Sequence, residues 1–179
     1  MNHIPEKVWS FYTTEAAELL NRGRLSIQDL GEGDLRLLSQ NRREFRRGFS
    51  DVVEGNVLYR FAREMREGDL VLLRSNRGRG AELCRVTEDY TYQNGEHIRA
   101  IRFLRHLTPE EISDGAQREI TYSSASPLFE VRHYAGEFFG DLGMNEADVP
   151  DDGTSAQRFA VRWALHRRFM EKQKAVAPR

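Results

Sequence analysis

Arginine is the residue type in this sequence best suited to binding chemistry. Residues 36–79 contain eleven basic side chains, all of them arginine, against six acidic ones, although the net charge of the whole chain is −1. A guanidinium pairs with phosphate oxygens in a planar, bidentate way and stacks on nucleobases. The predicted phosphate contacts form two groups, a helical one (Arg42, Arg43, Arg46 and Arg47) and a loop one (Arg74, Arg77 and Arg79). The alternative is that these arginines are simply solvated surface residues.

Residues that could support catalysis or metal binding lack the spacings that such sites require. The five histidines lie far apart, and none is paired with another ligand at zinc-like spacing. The loop at residues 77–80 lacks the lysine-serine/threonine end of a Walker-type phosphate loop, and residues 123–126 do not form a nucleophile elbow. Glu130-Val131-Arg132 has arginine where a restriction-type nuclease core needs lysine. We therefore expect a non-enzymatic protein without a metal site or a cofactor.

The remaining compositional features predict an intracellular protein. Cys84 has no second cysteine to pair with, and it lies in an apolar strand pattern that indicates a buried, inert thiol. No apolar run approaches the roughly 20 residues that cross a bilayer. The N-terminus lacks the basic patch and apolar stretch of a signal peptide. We expect a cytoplasmic location and no membrane partner.

The elements predicted around these residues form a mixed α/β (α+β) domain over residues 1–135. Strands are predicted at residues 8–12, 25–30, 70–73, 81–86, 90–92, 98–104 and 128–132, with Asn94-Gly95 as a two-residue hairpin turn. Helices are predicted at residues 15–21, 35–49 and 57–65, and after the capping-box signal of Thr108 to Glu111. We expect an antiparallel meander with helices around it.

Two further segments follow this domain. Residues 136–153 are acidic and contain glycine, which is typical of a linker. Residues 154–179 are predicted to form a basic amphipathic helix, with Phe159, Trp163 and Met170 on one face. This tail helix is expected to pack on the domain or on a partner, such as an effector nuclease or another protein subunit.

Several segments together resemble the PUA-like superfamily. They are FAREMREGDLVLL at residues 61–73, CRVTEDYTY at 84–92 and HIRAIRFL at 97–104, with LSIQDLGEGDL at 25–35 and LFEV at 128–131. The likeness is greatest to EVE/YTH-like domains and to the N-terminal domains of Mrr-type, modification-dependent restriction enzymes. It implies a curved antiparallel sheet or small barrel with flanking helices. Gly68 and Asp69 are expected to serve as scaffold, with the Asp69 carboxylate accepting hydrogen bonds from turn amides.

The resemblance also implies a pocket that accepts a flipped, often modified base between aromatic side chains. The candidate pocket residues are Tyr12 and Thr13 at the end of the first strand, Ser75 and Asn76 after the buried strand, and Tyr90 and Tyr92 before the hairpin. The 1,3 spacing of the last two places both rings on one face of the sheet, where packing against neighbouring strands is the alternative role. The tryptophan often found in the segment matching residues 25–34 is absent.

These features lead to one expected function and two alternatives. We expect a non-enzymatic reader of DNA or RNA, and the resemblance implies modified bases and a restriction or phage-defence context. The first alternative is a protein-interaction or regulatory subunit that makes its contacts through residues 136–153 and 154–179. The second is a small-ligand sensor that holds a nucleotide in the same pocket.

Overall fold

The computed structural model describes residues 7–28, 30–31, 33–75, 80–122 and 126–132, together with residues 171 and 174–175. Within these ranges seven strands form one strongly curled, mixed sheet. The strands are β1 (Val8–Tyr12), β2 (Arg24–Ile27), β3 (Leu70–Arg74), β4 (Ala81–Val86), β5 (Thr91–Gln93), β6 (Glu96–Leu107) and β7 (Leu128–Val131). Their order is β2-β6-β4-β3-β1-β7, and β5 also pairs with β6. The predicted α+β class with a curved sheet and flanking helices is confirmed.

The helices of the described residues are short. They are α1 (Ala16–Arg22), α2 (Arg42–Arg46), α3 (Val52–Tyr59) and α4 (Asp114–Tyr122). A π-helical turn at Arg60–Glu64 continues α3, and 3₁₀ turns lie at Leu35–Leu37 and Pro109–Glu111. The first three helices lie in the connection between β1 and β3, whereas α4 lies between β6 and β7.

Strands β1 and β3 separate two hydrophobic cores. Trp9 of β1 belongs to one core, which includes Phe61 of the π-helical turn. Val8 belongs to the other core, which includes Ala116 of α4. This division follows from the strand geometry, because successive side chains point to opposite faces of a sheet. The predicted burial of residues 70–73 on both faces is confirmed, since they alternate between the same two cores.

The sheet is not wholly antiparallel, contrary to the prediction. β1 pairs with β3 in parallel, with Val8 opposite Leu70 and Tyr12 opposite Arg74. Its other neighbour, β7, is antiparallel. A parallel pair needs a long crossover instead of a hairpin, and α1, β2, α2 and α3 provide it. The carboxyl ends of β1 and β3 therefore meet at the same edge of the sheet.

The single helix predicted over residues 35–49 is interrupted. Asp34 caps the 3₁₀ turn at Leu35–Leu37, and the Asn41 side chain accepts hydrogen bonds from two backbone N–H groups at the start of α2. Such side-chain bonds to the backbone offer an alternative to a continuous helix. The chain consequently forms two short helical pieces with an extended Leu38 between them.

Other predicted elements are present with shifted ends. β2 ends at Ile27 and not at Leu30, and α3 begins at Val52 and not at Val57. The Asn94-Gly95 turn joins β5 to β6 as predicted, with φ values of 53° and 80°. Two positive φ values are what a type I′ hairpin turn requires. The capping box also forms, because the Glu111 carboxylate accepts a hydrogen bond from the Thr108 N–H at 2.8 Å.

Asp69 connects the start of β3 to β1. Its buried carboxylate accepts hydrogen bonds from the backbone N–H groups of Lys7 and Arg66 at 3.1 and 3.0 Å. It also accepts one from the indole N–H of Trp9 at 2.9 Å. Gly68, which precedes it, has a φ of 90°. The predicted scaffold role of these two residues is confirmed.

The Cys84 thiol is buried, as predicted. Burial, with a smaller contribution from Glu82, raises the pKa of Cys84 to about 12.

Because the thiolate is the reactive form, we expect the Cys84 thiol of the folded protein to react with a disulfide reagent near neutral pH about a hundredfold more slowly than that of the urea-denatured protein. The measurement is absorbance of the released thiolate over time. Equal rates for the folded and denatured chain would show that Cys84 is accessible.

The predicted linker and tail helix fall outside most of the described residues. Residues 136–153 are not described, and of residues 154–179 the structure describes Glu171, Lys174 and Ala175, which are helical. The domain boundary at residue 135 and the role of the tail helix remain predictions. Within the described part of the chain, no helix has the length and apolar character needed to cross a membrane.

Candidate ligand-binding site

A cavity of about 340 Å³ lies where β1 and β3 end. One wall comes from the strand ends and the residue that precedes β4: Tyr12, Arg74, Ser75 and Gly80. The opposite wall comes from α4 and the 3₁₀ turn before it: Pro109, Ile112, Gln117, Ile120 and Thr121. Arg74 is the one charged residue among these described lining residues. We call this space the Arg74 cavity.

The parallel pairing of β1 and β3 places Tyr12 beside Arg74. The two residues are direct partners in the register. Just beyond them, the backbone N–H of Thr13 donates to the Arg74 carbonyl at 3.0 Å. The backbone N–H of Tyr12 donates in the other direction, to the Pro127 carbonyl at 2.8 Å. Hydrogen bonds on both sides thus fix the strand end that carries the cavity wall.

The Arg74 guanidinium is held between polar and aromatic groups. Its Nε donates to the hydroxyl of the buried Ser10 at 2.6 Å. The rings of Tyr12 and Phe129 each lie with their centroids 5.8 Å from the guanidinium carbon, a distance at which cation–π attraction operates. Burial lowers the pKa of Arg74, and no carboxylate of the described residues forms an ion pair with it. The cation is therefore partly removed from water, and none of the described residues provides an acidic partner.

The helical wall supplies further polar groups. The Gln117 side-chain nitrogen donates to the carbonyls of Pro109 and Ile112, the latter at 2.9 Å. The Thr121 hydroxyl donates to the Gln117 carbonyl at 2.9 Å. Neither wall carries a set of metal ligands, and no group of three or more His, Cys, Asp or Glu side chains in the described ranges could hold a metal ion. The groups present are suited to binding an anion or a polar, planar ligand.

The structure brings together part of the predicted pocket. Tyr12 and Ser75 line the Arg74 cavity, and so does Arg74, which the sequence predicted as a phosphate contact. Thr13 contributes its backbone hydrogen bond at the rim. The predicted residues Asn76, Arg77 and Arg79 lie outside the described residues.

Tyr90 and Tyr92 do not line this cavity. The Tyr90 hydroxyl lies 2.8 Å from Nδ1 of His97, and Nε2 of the same ring lies 2.9 Å from the carbonyls of Leu30 and Gly31. Carbonyl oxygens only accept hydrogen bonds, so Nε2 carries a proton, and in the neutral imidazole Nδ1 then accepts from the Tyr90 hydroxyl.

Both tyrosines also bind the backbone of the segment after β2. The Tyr90 hydroxyl accepts from the N–H of Leu35 at 3.2 Å, and the Tyr92 hydroxyl accepts from the N–H of Gly33 at 3.1 Å. Burial raises the pKa of Tyr90. Because the two rings flank His97 and anchor the backbone, they occupy the packing role that the sequence left open as the alternative.

The four arginines of the predicted helical basic surface differ in their surroundings. Arg43 and Arg47 are exposed on α2 and the residue after it. Arg42 pairs with Glu64 at 3.3 Å, and its guanidinium lies over the Tyr59 ring. Arg46 is half-buried, and no described residue accepts a hydrogen bond from its Nε. Phosphate binding by this surface remains a prediction.

Several residues that line the cavity or contact Arg74 were not identified from the sequence. Ser10 had an available signal, because it is a small polar residue in an otherwise apolar strand. Gln117 and Thr121 had none, since their position beside Arg74 depends on how α4 packs against the sheet. Phe129 was assigned to the closing strand, but its contact with Arg74 requires β7 to pair with β1.

Comparison with known proteins places the chain in a family. No curated protein matches its sequence. The crystal structure of protein Atu2648 from Agrobacterium tumefaciens matches with a TM-score of 0.41 and 12% sequence identity, and the match covers 77% of this chain and 92% of that chain. The model of the family described as "Domain of unknown function (DUF8426)" matches residues 16–128, which is more than half of the chain. The chain therefore belongs to the DUF8426 family.

Proposed function

We propose that this chain is a nucleic-acid-binding module of the PUA-like kind, in which the Arg74 cavity receives one nucleotide. The observation that carries this proposal is the partly buried Arg74 guanidinium, which has no carboxylate partner among the described residues. A cation withdrawn from water is stabilised by a nearby anion. Phosphate matches the planar donors of a guanidinium. The bond to Ser10 uses Nε, and no described residue accepts a hydrogen bond from the Nη groups.

The walls of the cavity are suited to binding a base as well as a phosphate. Tyr12 presents an aromatic ring at the wall, and base–aromatic stacking contributes about 1–3 kcal/mol per base. The volume of about 340 Å³ is at the lower end of the range for small-ligand pockets. Extruding a base from a stack costs a few kcal/mol. Phosphate contacts by Arg74 and by exposed arginines such as Arg43 and Arg47 would offset that cost.

Replacing Arg74 tests the proposal. We expect Arg74→Gln to weaken oligonucleotide binding by about 10- to 100-fold, because a hydrogen bond to a charged group contributes about 1.5–3 kcal/mol. The measurement is fluorescence anisotropy with single-stranded and duplex oligonucleotides at about 50 and 200 mM salt. The oligonucleotides tested include plain and base-modified ones. Modified bases are included because the proposal, in its more specific form, is that the protein recognises modified bases in a restriction or phage-defence system.

Arg102→Gln is the matched control. Arg102 is exposed on β6 and does not line the cavity, so this variant removes the same charge elsewhere and is expected to bind within about twofold of the wild-type protein. Both variants are first compared by melting temperature, and Arg74→Lys, which keeps the charge without the planar fork, provides a second variant. The proposal fails if the wild-type protein binds no oligonucleotide at micromolar concentration, or if both glutamine variants bind equally well.

A free nucleotide is a second candidate ligand, because the same cavity would hold one without the rest of a polymer. Nucleoside monophosphates distinguish the two cases. If a monophosphate binds as tightly as an oligonucleotide of about ten residues and raises the melting temperature, the cavity acts as a nucleotide sensor. If only the oligonucleotide binds tightly, contacts beyond the cavity contribute, as a nucleic-acid reader requires.

A further inference from the structure

The amide of Gln117 has a fixed orientation in the Arg74 cavity. Its side-chain nitrogen donates to the carbonyl of Pro109 and to that of Ile112 at 2.9 Å. A carbonyl oxygen only accepts hydrogen bonds, so the nitrogen, and not the oxygen, must face the 3₁₀ turn. An amide nitrogen carries two N–H groups, and these two carbonyls account for both.

The amide oxygen is consequently the polar atom of Gln117 that remains for a ligand. No described group donates a hydrogen bond to Oε1. Gln117 lines the cavity and is only partly buried. Its bonds to the 3₁₀ turn set the direction of the Oε1 acceptor.

The two walls therefore require hydrogen-bonding groups of opposite kinds on a ligand. Arg74 provides only donors, and it requires an acceptor or an anion. Gln117 provides only an acceptor, and it requires an N–H or O–H donor. A phosphate diester can accept hydrogen bonds from Arg74, but it cannot bind Gln117 because it carries no donor. A nucleotide with an amino group on its base can satisfy both.

We infer that Gln117 is a specificity-determining residue that selects amino-bearing bases, and this inference rests on the proposed function. Deamination converts the amino group of cytosine or adenine to a carbonyl, giving uracil or hypoxanthine. The new oxygen would face Oε1 of Gln117, so two acceptors would meet without a proton between them. A site built around a buried hydrogen bond rejects ligands that leave its polar group unpaired.

The test compares pairs of oligonucleotides that differ in this group and in the proton that deamination places on the adjacent ring nitrogen. Binding of (dC)10 is compared with that of (dU)10, and binding of (dA)10 with that of (dI)10, by fluorescence anisotropy. For at least one pair, we expect the wild-type protein to bind the amino-bearing member about tenfold more tightly. Gln117→Met removes the acceptor and is expected to bind both members of that pair equally. The readout is a ratio of two affinities of one folded protein, so a uniform loss of stability in the variant does not change it.

Gln93→Met is the matched control. It makes the same change at an exposed position of β5 that does not line the cavity, and we expect it to keep the preference of the wild-type protein. Two outcomes would overturn the inference while the proposed function stands. In the first, the wild-type protein shows Arg74-dependent binding but binds both members of both pairs equally. In the second, the preference persists in Gln117→Met. Absence of Arg74-dependent binding would instead overturn the proposed function, and the inference with it.

Discussion

Asp69→Ala is expected to lower the free energy of unfolding by about 3–5 kcal/mol. The substitution leaves three donors without their acceptor: the indole N–H of Trp9 and the backbone N–H groups of Lys7 and Arg66. Each buried donor left unsatisfied costs about 1–3 kcal/mol. The substitution also removes the side-chain link between the start of β3 and β1, the strand pair whose ends form one wall of the Arg74 cavity. Urea denaturation, followed by tryptophan fluorescence, measures the change.

Glu67→Ala provides the comparison for this prediction. Glu67 is an exposed acidic residue of the same turn, and its replacement is expected to change stability by less than about 0.5 kcal/mol. Asp69→Asn keeps one acceptor oxygen but directs an amide N–H₂ group at the remaining donors, so it is expected to lie between the two alanine variants. If Asp69→Ala were as stable as Glu67→Ala, the carboxylate would have no anchoring role.

Features that depend on neighbouring residues could be predicted from the sequence. The alternation in β1 and the continuous apolar run of β3 were sufficient to predict strands, and the structure shows each of them divided between two cores. Asn94-Gly95 determined a hairpin because few other dipeptides accept two positive φ values. The role of Asp69 followed in the same way, from a short acceptor side chain placed beside turn amides.

Features that depend on distant residues could not be predicted. Neither β1 nor β3 contains a signal that identifies the other as its parallel partner, and the long connection between them hides the pairing. The interrupted helix at residues 35–49 is an intermediate case. Its apolar spacing suits a continuous helix, but the hydrogen bonds that the Asp34 and Asn41 side chains accept from backbone N–H groups prevail over that pattern.

The residues of the candidate site also divide into those that could be predicted from the sequence and those whose role depends on distant residues. Tyr12 and Ser75 were identified through the PUA-like resemblance, which implies a pocket of aromatic and polar side chains, and Arg74 through the affinity of a guanidinium for phosphate. Tyr90 and Tyr92 have the composition of a stacking pair, yet their hydroxyls anchor the backbone near residues 33–35. Residue type alone does not distinguish a ring that stacks on a ligand from one that stacks on His97. The difference lies in which loop the tertiary fold places beside each ring.

Gly80→Ala is expected to destabilise the protein by about 2–4 kcal/mol and to weaken oligonucleotide binding at the same time. A Cβ atom on Gly80 would lie 2.2 Å from the Leu107 carbonyl oxygen and 3.2 Å from two atoms of the His106 ring. Rotation of a side chain cannot relieve the contact with a backbone oxygen. The chain must therefore shift where Ala81 pairs with Leu107, and because Gly80 lines the Arg74 cavity, that shift changes the shape of the binding site.

Gly48→Ala separates this steric effect from the general effect of replacing glycine. A Cβ on Gly48 would meet its nearest atom, the Phe45 carbonyl oxygen, at 3.4 Å, and the expected change in stability is within about 0.5 kcal/mol. Urea midpoints at constant m-value give the stabilities, and anisotropy titrations give the affinities. A Gly80→Ala variant that unfolds at the wild-type midpoint would show that β4 and β6 are not closely packed at residues 80 and 107. One that is destabilised but binds normally would place the ligand away from this wall of the cavity.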